Sequence, residues 1–407
     1  MSSKNIPPKR NSLNTVPITP NIGNDKGLQG YATIHNSIND IPPEIWNELA
    51  PADSPLLQHQ FLSALENTGC VSTGTGWRPN HLAIYGNNQL LAAAPCYLKY
   101  HSYGEYIFDW NWAHAYRQAG LTYYPKLLLA VPFTPITNIS LLSHPDTNSS
   151  AARINLINAA YDLAKDKSAS SIHSLFTTHE DNEAFNSKGF FIRKANQFHW
   201  TNHGYSDFSD FLSELNSKKR KNIARERKTI NSHQITFRWL DGFQATPNDW
   251  SFFYSCYENT ISGYAAIPYL NLEFFRCVGE TMASKVRLLI ASHHGVDIAS
   301  AFFLRGKSAL FGRYWGSIKT LPNLHFETCF YQPIDYCIRH QLTSFEAGAQ
   351  GEHKLSRGLT PTTVFSAHWL SHPDFASAIG THIDQERRYI EEYQAILSSH
   401  SPYKNRP

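Results

Sequence analysis

One order of elements is written twice along this chain, and it limits the fold more than any other feature of the 407 residues. In the first half, His81-Leu-Ala-Ile-Tyr85 and Gln89 to Leu98 read as a hairpin turned at Gly86-Asn-Asn88, and Glu105 to Trp112 reads as a third strand. A proline-bearing connection leads to a helix, Ser150 to Lys165, with Ile154, Ile157, Ala160 and Leu163 on one stripe, and then to a strand from Ser171 to Phe176. The second half repeats this with strands Val286 to Ser292, Val296 to Leu304 and Ala309 to Trp315. A helix from Leu324 to His340, expected to kink at Pro333, then precedes the strand Ser344-Phe-Glu-Ala. Leu82-Ala-Ile-Tyr answers Leu288-Leu-Ile-Ala, and Ile172-His-Ser-Leu-Phe answers Phe345-Glu-Ala-Gly. The pattern predicts a duplicated α+β unit in which helices cover a mixed, mostly antiparallel sheet. The expected divisions are a disordered tail over 1–30, lobes over 31–200 and 201–375, and a helical extension over 376–407.

Charge excludes a general nucleic-acid or membrane field, because 36 Lys plus Arg stand against 33 Asp plus Glu, a formal net charge of +3. Any contact with a polyanion must therefore be local. The six cysteines show no CxxC spacing, so neither a zinc site nor a disulfide framework is indicated and no metal is expected. No stretch supplies the roughly 18 uninterrupted apolar residues of a membrane span, and the first 30 residues hold no signal-peptide core, so the expected location is the cytoplasm.

Chemistry concentrates in Phe345-Glu-Ala-Gly-Ala-Gln-Gly-Glu-His-Lys-Leu-Ser-Arg-Gly358. A strand ends, glycines at 348 and 351 let the backbone turn, and acid, imidazole and cations follow. The stretch is either a ligand site or a solvated turn whose charges pair with one another. As a site, Glu346, Glu352 and His353 are candidate bases, Tyr314 is a candidate acid, and Gln350, Lys354 and Arg357 are candidates for binding substrate, the two cations for an anionic group. No serine or cysteine carries a nucleophile signature, which favours direct attack over a covalent enzyme intermediate.

Two further stretches stand out. Lys218 to Lys228 carries seven cations and one acid on a helix expected to be capped by Ser217. It is either a solvated face with acidic partners elsewhere or an anion patch through Lys218, Lys219, Arg220, Lys221 and Arg225. On the expected third strand of the first half, Glu105 and Asp109 share one face. They either line a cleft with His101 or Arg117 or stand at an exposed edge.

The runs Tyr103-Gly-Glu-Tyr-Ile-Phe-Asp109, Tyr123-Tyr-Pro-Lys-Leu127, Val131-Pro-Phe-Thr-Pro135, Lys218-Lys-Arg-Lys-Asn222 and Phe345 to Lys354 resemble the bacterial FemAB-like proteins labelled peptidoglycan biosynthesis or recognition. The resemblance covers about residues 52 to 375. It implies tandem domains of the GCN5-related N-acetyltransferase (GNAT) type and transfer of an acyl or aminoacyl group to an amine. Acyl-CoA or aminoacyl-tRNA would be the co-substrate, with no permanently bound cofactor, and a small-molecule or peptide amine the acceptor. The stretch Gly316 to His325 lacks the Gln/Arg-x-x-Gly-x-Gly/Ala pyrophosphate loop of acetyltransferases. That departure turns the search for phosphate contacts toward the basic helix, which suits tRNA as well as CoA. The competing expectation is a binding module that recognises a cell-wall or peptide ligand without turnover.

Overall fold

The computed structural model describes residues 30–263, 266–349 and 351–404. In chain order its strands are β1 (Tyr31–His35), β2 (Trp77–Pro79), β3 (His81–Gly86), β4 (Gln89–Ala94), β5 (Cys96–Lys99), β6 (Lys126–Leu129), β7 (Leu142–Ser143) and β8 (Ser171–Thr177). They continue with β9 (Phe191–Thr201), β10 (Ile235–Leu240), β11 (Val286–His293), β12 (Val296–Arg305), β13 (Ala309–Ser317), β14 (Ser344–Glu346) and β15 (Thr360–Leu370). The expected α+β class is what the chain adopts.

A small sheet has the order β1-β3-β4-β7, and an eleven-stranded sheet has the order β10-β11-β12-β13-β14-β9-β15-β8-β6-β5-β2. Pro95 lacks an amide proton for a ladder and separates β4 in the first sheet from β5 in the second. In the large sheet only β13 with β14 and β6 with β8 run parallel, one such pair in each half. The last strand of each half has crossed over: β9 lies beside β14, β15 lies beside β8, and the two crossed strands pair from Thr360↔His199 to His368↔Phe191. The boundary expected after residue 200 therefore falls at the end of a strand whose two neighbours both come from the second half.

Alternation along β11 and β12 sends side chains to two cores. Leu288, Ile290, Phe302 and Leu304 join Trp250, Phe253, Phe274 and Phe275 from the helices Pro247–Gly263 and Leu272–Thr281. Phe61 of the first half enters that cluster, its ring meeting Phe274 edge-on at 5.6 Å. Leu289, Ala301 and Phe303 face the other way, onto Phe330, Ile334 and Phe345. One core thus spans both halves, and each large side chain buried in it contributes about 1.5–3 kcal/mol.

Three local expectations are corrected. Glu105 to Trp112 is not a strand: positive φ at Gly104 and Tyr106 breaks the extended run, and a helix Trp110–Gln118 buries Trp112, Ala113 and Tyr116 at helical spacing. The basic helix Ser217–Ser232 is capped by Asn216, whose side chain accepts from the Lys219 amide, and Ser217 is already inside it. The helix expected over 324–340 is a turn, Leu324–Phe326, a π-helical stretch, Glu327–Tyr331, and a helix, Gln332–Arg339. Pro333 sits in the first turn of that last piece, directly after the π-helical stretch, which changes the register there. A C-terminal helix, Pro373–Ser399, is tied to β9 by Arg193–Glu386 at 2.6 Å and Lys194–Glu391 at 2.6 Å. Among the described residues no helix is long and apolar enough to cross a membrane.

Candidate functional site

β13 and β14 pair only from Ala309↔Ser344 to Phe311↔Glu346, after which β13 runs on to Ser317 while the other chain leaves the sheet. A bulge opens the ladder further: Phe302 pairs with Tyr314 and Phe303 with Gly312, leaving Arg313 as the extra residue. Gly348 (φ 78°) and Gly351 (φ 114°) turn the departing chain, and a Cβ on Gly351 would meet the His353 ring at 2.5 Å. Beyond them Glu352–Arg357 forms a 3-10 helix. Together these elements leave a cavity of about 250 Å³ lined by Phe303, Arg313, Trp315, His325, Phe345 and Lys354 among others, all from the second half. The 346–357 loop closes this cavity; the joint between the halves lies on the opposite face of the sheet.

Glu346 belongs to that opposite face, since Phe345 points into the cavity and successive strand residues alternate. Its side chain is 14% exposed, yet Oε2 is buried without a hydrogen bond, and His199 Nε2 lies 3.7 Å away. Burial pushes its carboxyl up to about 8, with the Arg313 charge pulling the other way. Arg313 donates to the Phe133 carbonyl and to Thr134 Oγ1 (3.2 Å), so the bulge residue also joins the halves. The Tyr314 hydroxyl lies 3.4 Å from the Phe133 carbonyl oxygen and 3.3 Å from Arg313 Nη2. Burial pushes that hydroxyl up as well.

Inside the cavity Lys354 is 4% exposed and donates to the Gly348 carbonyl at 2.7 Å, and burial brings its ammonium down to about 8. His353 packs on Phe330 (ring centroids 5.6 Å) and His325 on Trp315 (4.8 Å). Both imidazoles are lowered by burial and by neighbouring cations, His325 to about 4. Two of the expected residues stand elsewhere. Glu352 is on the surface and accepts a hydrogen bond from the Tyr393 hydroxyl. Arg357 is engaged with Glu226 (3.0 Å) and the His353 carbonyl (2.8 Å), its guanidinium 3.3 Å from the centre of the Phe326 ring. Gln350 lies outside the described residues. The structure thus gathers Tyr314, Glu346, His353 and Lys354 around one gap, and leaves Glu352 and Arg357 in supporting contacts.

The basic helix borders this site with one face. Ile223 and Ile230 are buried, Lys219 Nζ reaches Ser356 Oγ at 2.8 Å, and Arg227 pairs with buried Glu327 at 3.1 Å. Glu226 takes the Tyr331 hydroxyl as well as Arg357. Glu226 and Glu327 offset the crowding of like charges. Lys218, Lys221, Arg225 and Lys228 face water, and Arg220 is half-buried.

In the first half, Glu105 and Asp109 neither line an open cleft nor stand at an edge. Both are 4% exposed and meet Lys126 Nζ, at 2.8 Å from Glu105 Oε2 and 2.5 Å from Asp109 Oδ2. Lys99 Nζ lies 3.8 Å from Glu105 and 3.5 Å from the centre of the Trp77 ring. From Asp109 a chain of contacts continues to the Tyr123 hydroxyl (2.6 Å), His173 Nε2 (3.1 Å) and His368 Nδ1, 2.7 Å from His173 Nδ1. Burial works against every charge here. The Lys126 ammonium nevertheless holds Asp109 well below the carboxylate range, while Glu105 rises to about 7 and Lys99 falls to about 6. His101 bonds the Thr75 carbonyl instead, and Arg117 is exposed. Lys126 lies on β6 and His173 on β8, so this network occupies the parallel strand pair that answers the gap of the second half. Sequence reasoning missed Lys99, Lys126, His173 and His368, although the two lysines were visible as charged ends of short apolar runs, Cys96–Lys99 and Lys126–Leu129.

The family model described as FemAB-like, peptidoglycan biosynthesis/recognition, matches residues 37–405. Among solved structures the fold is similar to FemX, at 10% identity and a TM-score of 0.52, over 87% of this chain and 100% of that one. L-PGS from Bacillus licheniformis is also similar (10% identity, TM-score 0.49, 81% of this chain and 97% of that one). So is a tandem GNAT protein from the clavulanic acid biosynthesis pathway (11%, 0.45, 85% and 99%). No curated protein matches the sequence. With a family model matched over nearly the whole described chain, on a fold similar to that of FemX, this protein belongs to the FemAB-like peptidoglycan biosynthesis/recognition family.

Proposed function

We propose that the chain is an N-acyltransferase that passes an acyl or aminoacyl group from acyl-CoA or aminoacyl-tRNA directly to an amine, small-molecule or peptide, at the gap between β13 and β14. The observation that carries this reading is the carboxyl of Glu346 at the end of β14, whose Oε2 is buried without a hydrogen bond. An incoming ammonium must lose a proton before it can attack, and a carboxyl raised to about 8 by burial is tuned for that exchange near neutral pH. The amine enters from the face that Glu346 shares with His199, while the acyl group occupies the cavity on the other face.

Attack on the acyl carbon forms the new C–N bond and a tetrahedral oxyanion. The bulge at Arg313 leaves backbone groups off the ladder, which are donors of the kind such an oxyanion needs. Collapse breaks the bond to the carrier, and the Tyr314 hydroxyl, kept protonated by burial, supplies the leaving group's proton and recovers one from the newly bonded nitrogen, which leaves as the neutral amide. The carrier's phosphates lie along Lys218, Lys221 and Arg225 on the water-facing side of a helix, with half-buried Arg220 beside them and Lys219 reaching into the site. Mass-spectrometric detection of an acylated amine from a mixed acceptor set, with wild type beside Glu346→Gln, tests the reading.

A further inference from the structure

Resting on the acyl-transfer reading, we propose that the substrate group seated in the second-half cavity carries a carboxylate, at the end of a short carbon chain. Elsewhere this protein pairs its buried cations with acids: Lys126 with Glu105 and Asp109, Arg357 with Glu226. The cavity is different. Lys354, His325 and His353 line it, and its described lining residues include no Asp or Glu. Lys354 is 4% exposed and its ammonium is held by one backbone carbonyl. Among the described residues it has no carboxylate within ion-pair distance.

Buried cations without counter-charges are costly, and a ligand that brings the missing charge recovers that cost. The rest of the wall is Ala301, Phe303, Trp315, Phe330 and Phe345, which suits a few methylenes better than a bare, strongly hydrated inorganic anion. At ~30 Å³ per water, 250 Å³ holds the equivalent of about eight waters, room for a four- or five-carbon acid. The ammonium of an aminoacyl group would meet Lys354 as a like charge. The carboxylate then belongs to the acyl group of the donor, which the transfer reading seats in this cavity.

The test reads binding, not turnover, on the full chain. Titration calorimetry with succinate, its neutral analogue succinamide and the cation 1,4-diaminobutane compares three probes of similar length. Succinate is expected to bind about 10-fold or more tighter than the amide, as charge-assisted pairing predicts, and the diamine not at all. Lys354→Met should weaken succinate by about the same factor and leave the amide unchanged. Displacement of succinate by succinyl-CoA supports a carboxylate on the donor's acyl group, and displacement by glutamate but not by succinyl-CoA contradicts that seating. Equal binding of succinate and succinamide, tighter binding of the diamine, or no binding of succinate overturns the proposal. The probe series on the wild type decides even if Lys354→Met does not fold. A chain that binds succinate yet acylates nothing refutes the transfer reading alone, whereas one that transfers uncharged acyl groups and ignores succinate refutes the anion site alone.

Discussion

His173 on β8 and His368 on β15 face each other with their Nδ1 atoms 2.7 Å apart, although 195 positions separate them in the chain. One ring must donate and the other accept, so the contact requires that they not both be protonated. Burial enforces this, lowering His173 to about 3 and His368 well below the usual histidine value. The contact also fastens the exchanged strand β15 to the first half's sheet.

Stability should therefore fall with acid. The unfolded imidazoles take up protons below about pH 6.5 while the folded ones resist down to about 3, so the unfolded state binds more protons across that window. Each ring then removes up to about 1.4 kcal/mol of stability per pH unit as pH drops. Urea unfolding at pH 7.5, 6.0 and 5.0 measures the slope, and His368→Asn should make it shallower. A stability that is flat over this range would contradict the neutral pair.

Lys126→Met should be strongly destabilising. It leaves Glu105 and Asp109 buried beside one another with only Lys99 near, and breaking a buried ion pair in this way costs roughly 3–5 kcal/mol. Chemical denaturation of the variant checks this, and a loss under about 1 kcal/mol would show that the network is not what holds the 100–109 loop to the sheet.

Much of this was legible in the chain. The apolar runs Val286 to Ser292 and Val296 to Leu304 and the stripe Ile157, Ala160, Leu163 set strands and helix where the structure has them, because burial leaves a trace in the pattern of apolar residues. The crossing of β9 and β15 left none: a two-residue period fixes which face is buried but not which strand lies alongside. Glu105 and Asp109 were misread because even spacing in five residues fits a strand, while their true partner, Lys126, is 17 to 21 residues away and reached through a positive-φ loop. Glu346 and Glu352 look alike in sequence. Only the end of β14 beneath one and the surface turn beneath the other separate a buried carboxyl from an exposed one.

That distinction predicts a reversal between two isosteric variants. Glu352→Gln removes a surface hydrogen bond with Tyr393 and should leave transfer within about threefold of wild type, whereas Glu346→Gln should lower kcat/KM by about 10²-fold or more. Parallel steady-state assays of the two variants check it, and equal losses would place the base elsewhere.

The basic helix should divide by face. Replacing Lys218, Lys221 and Arg225 together by Glu should spare the fold and weaken binding of a phosphate-bearing donor, the salt slope shrinking by about 0.7–0.9 for each phosphate no longer neutralised. Arg227→Met should instead cost stability, because it strands the carboxyl of Glu327, itself 2% exposed. Salt-dependent binding and thermal melts separate the two.

The most direct test of acyl transfer at the β13–β14 gap is the pH dependence of kcat/KM, followed by mass spectrometry of the acylated amine, for wild type and Glu346→Gln. A base raised to about 8 must be deprotonated to work, so the wild-type rate should climb as pH rises from 6.5 toward 8.5 and level off above it. The Gln variant should lie about 10²-fold lower and lack that climb. A Glu346→Gln protein with the wild-type rate and the wild-type pH profile would contradict the account.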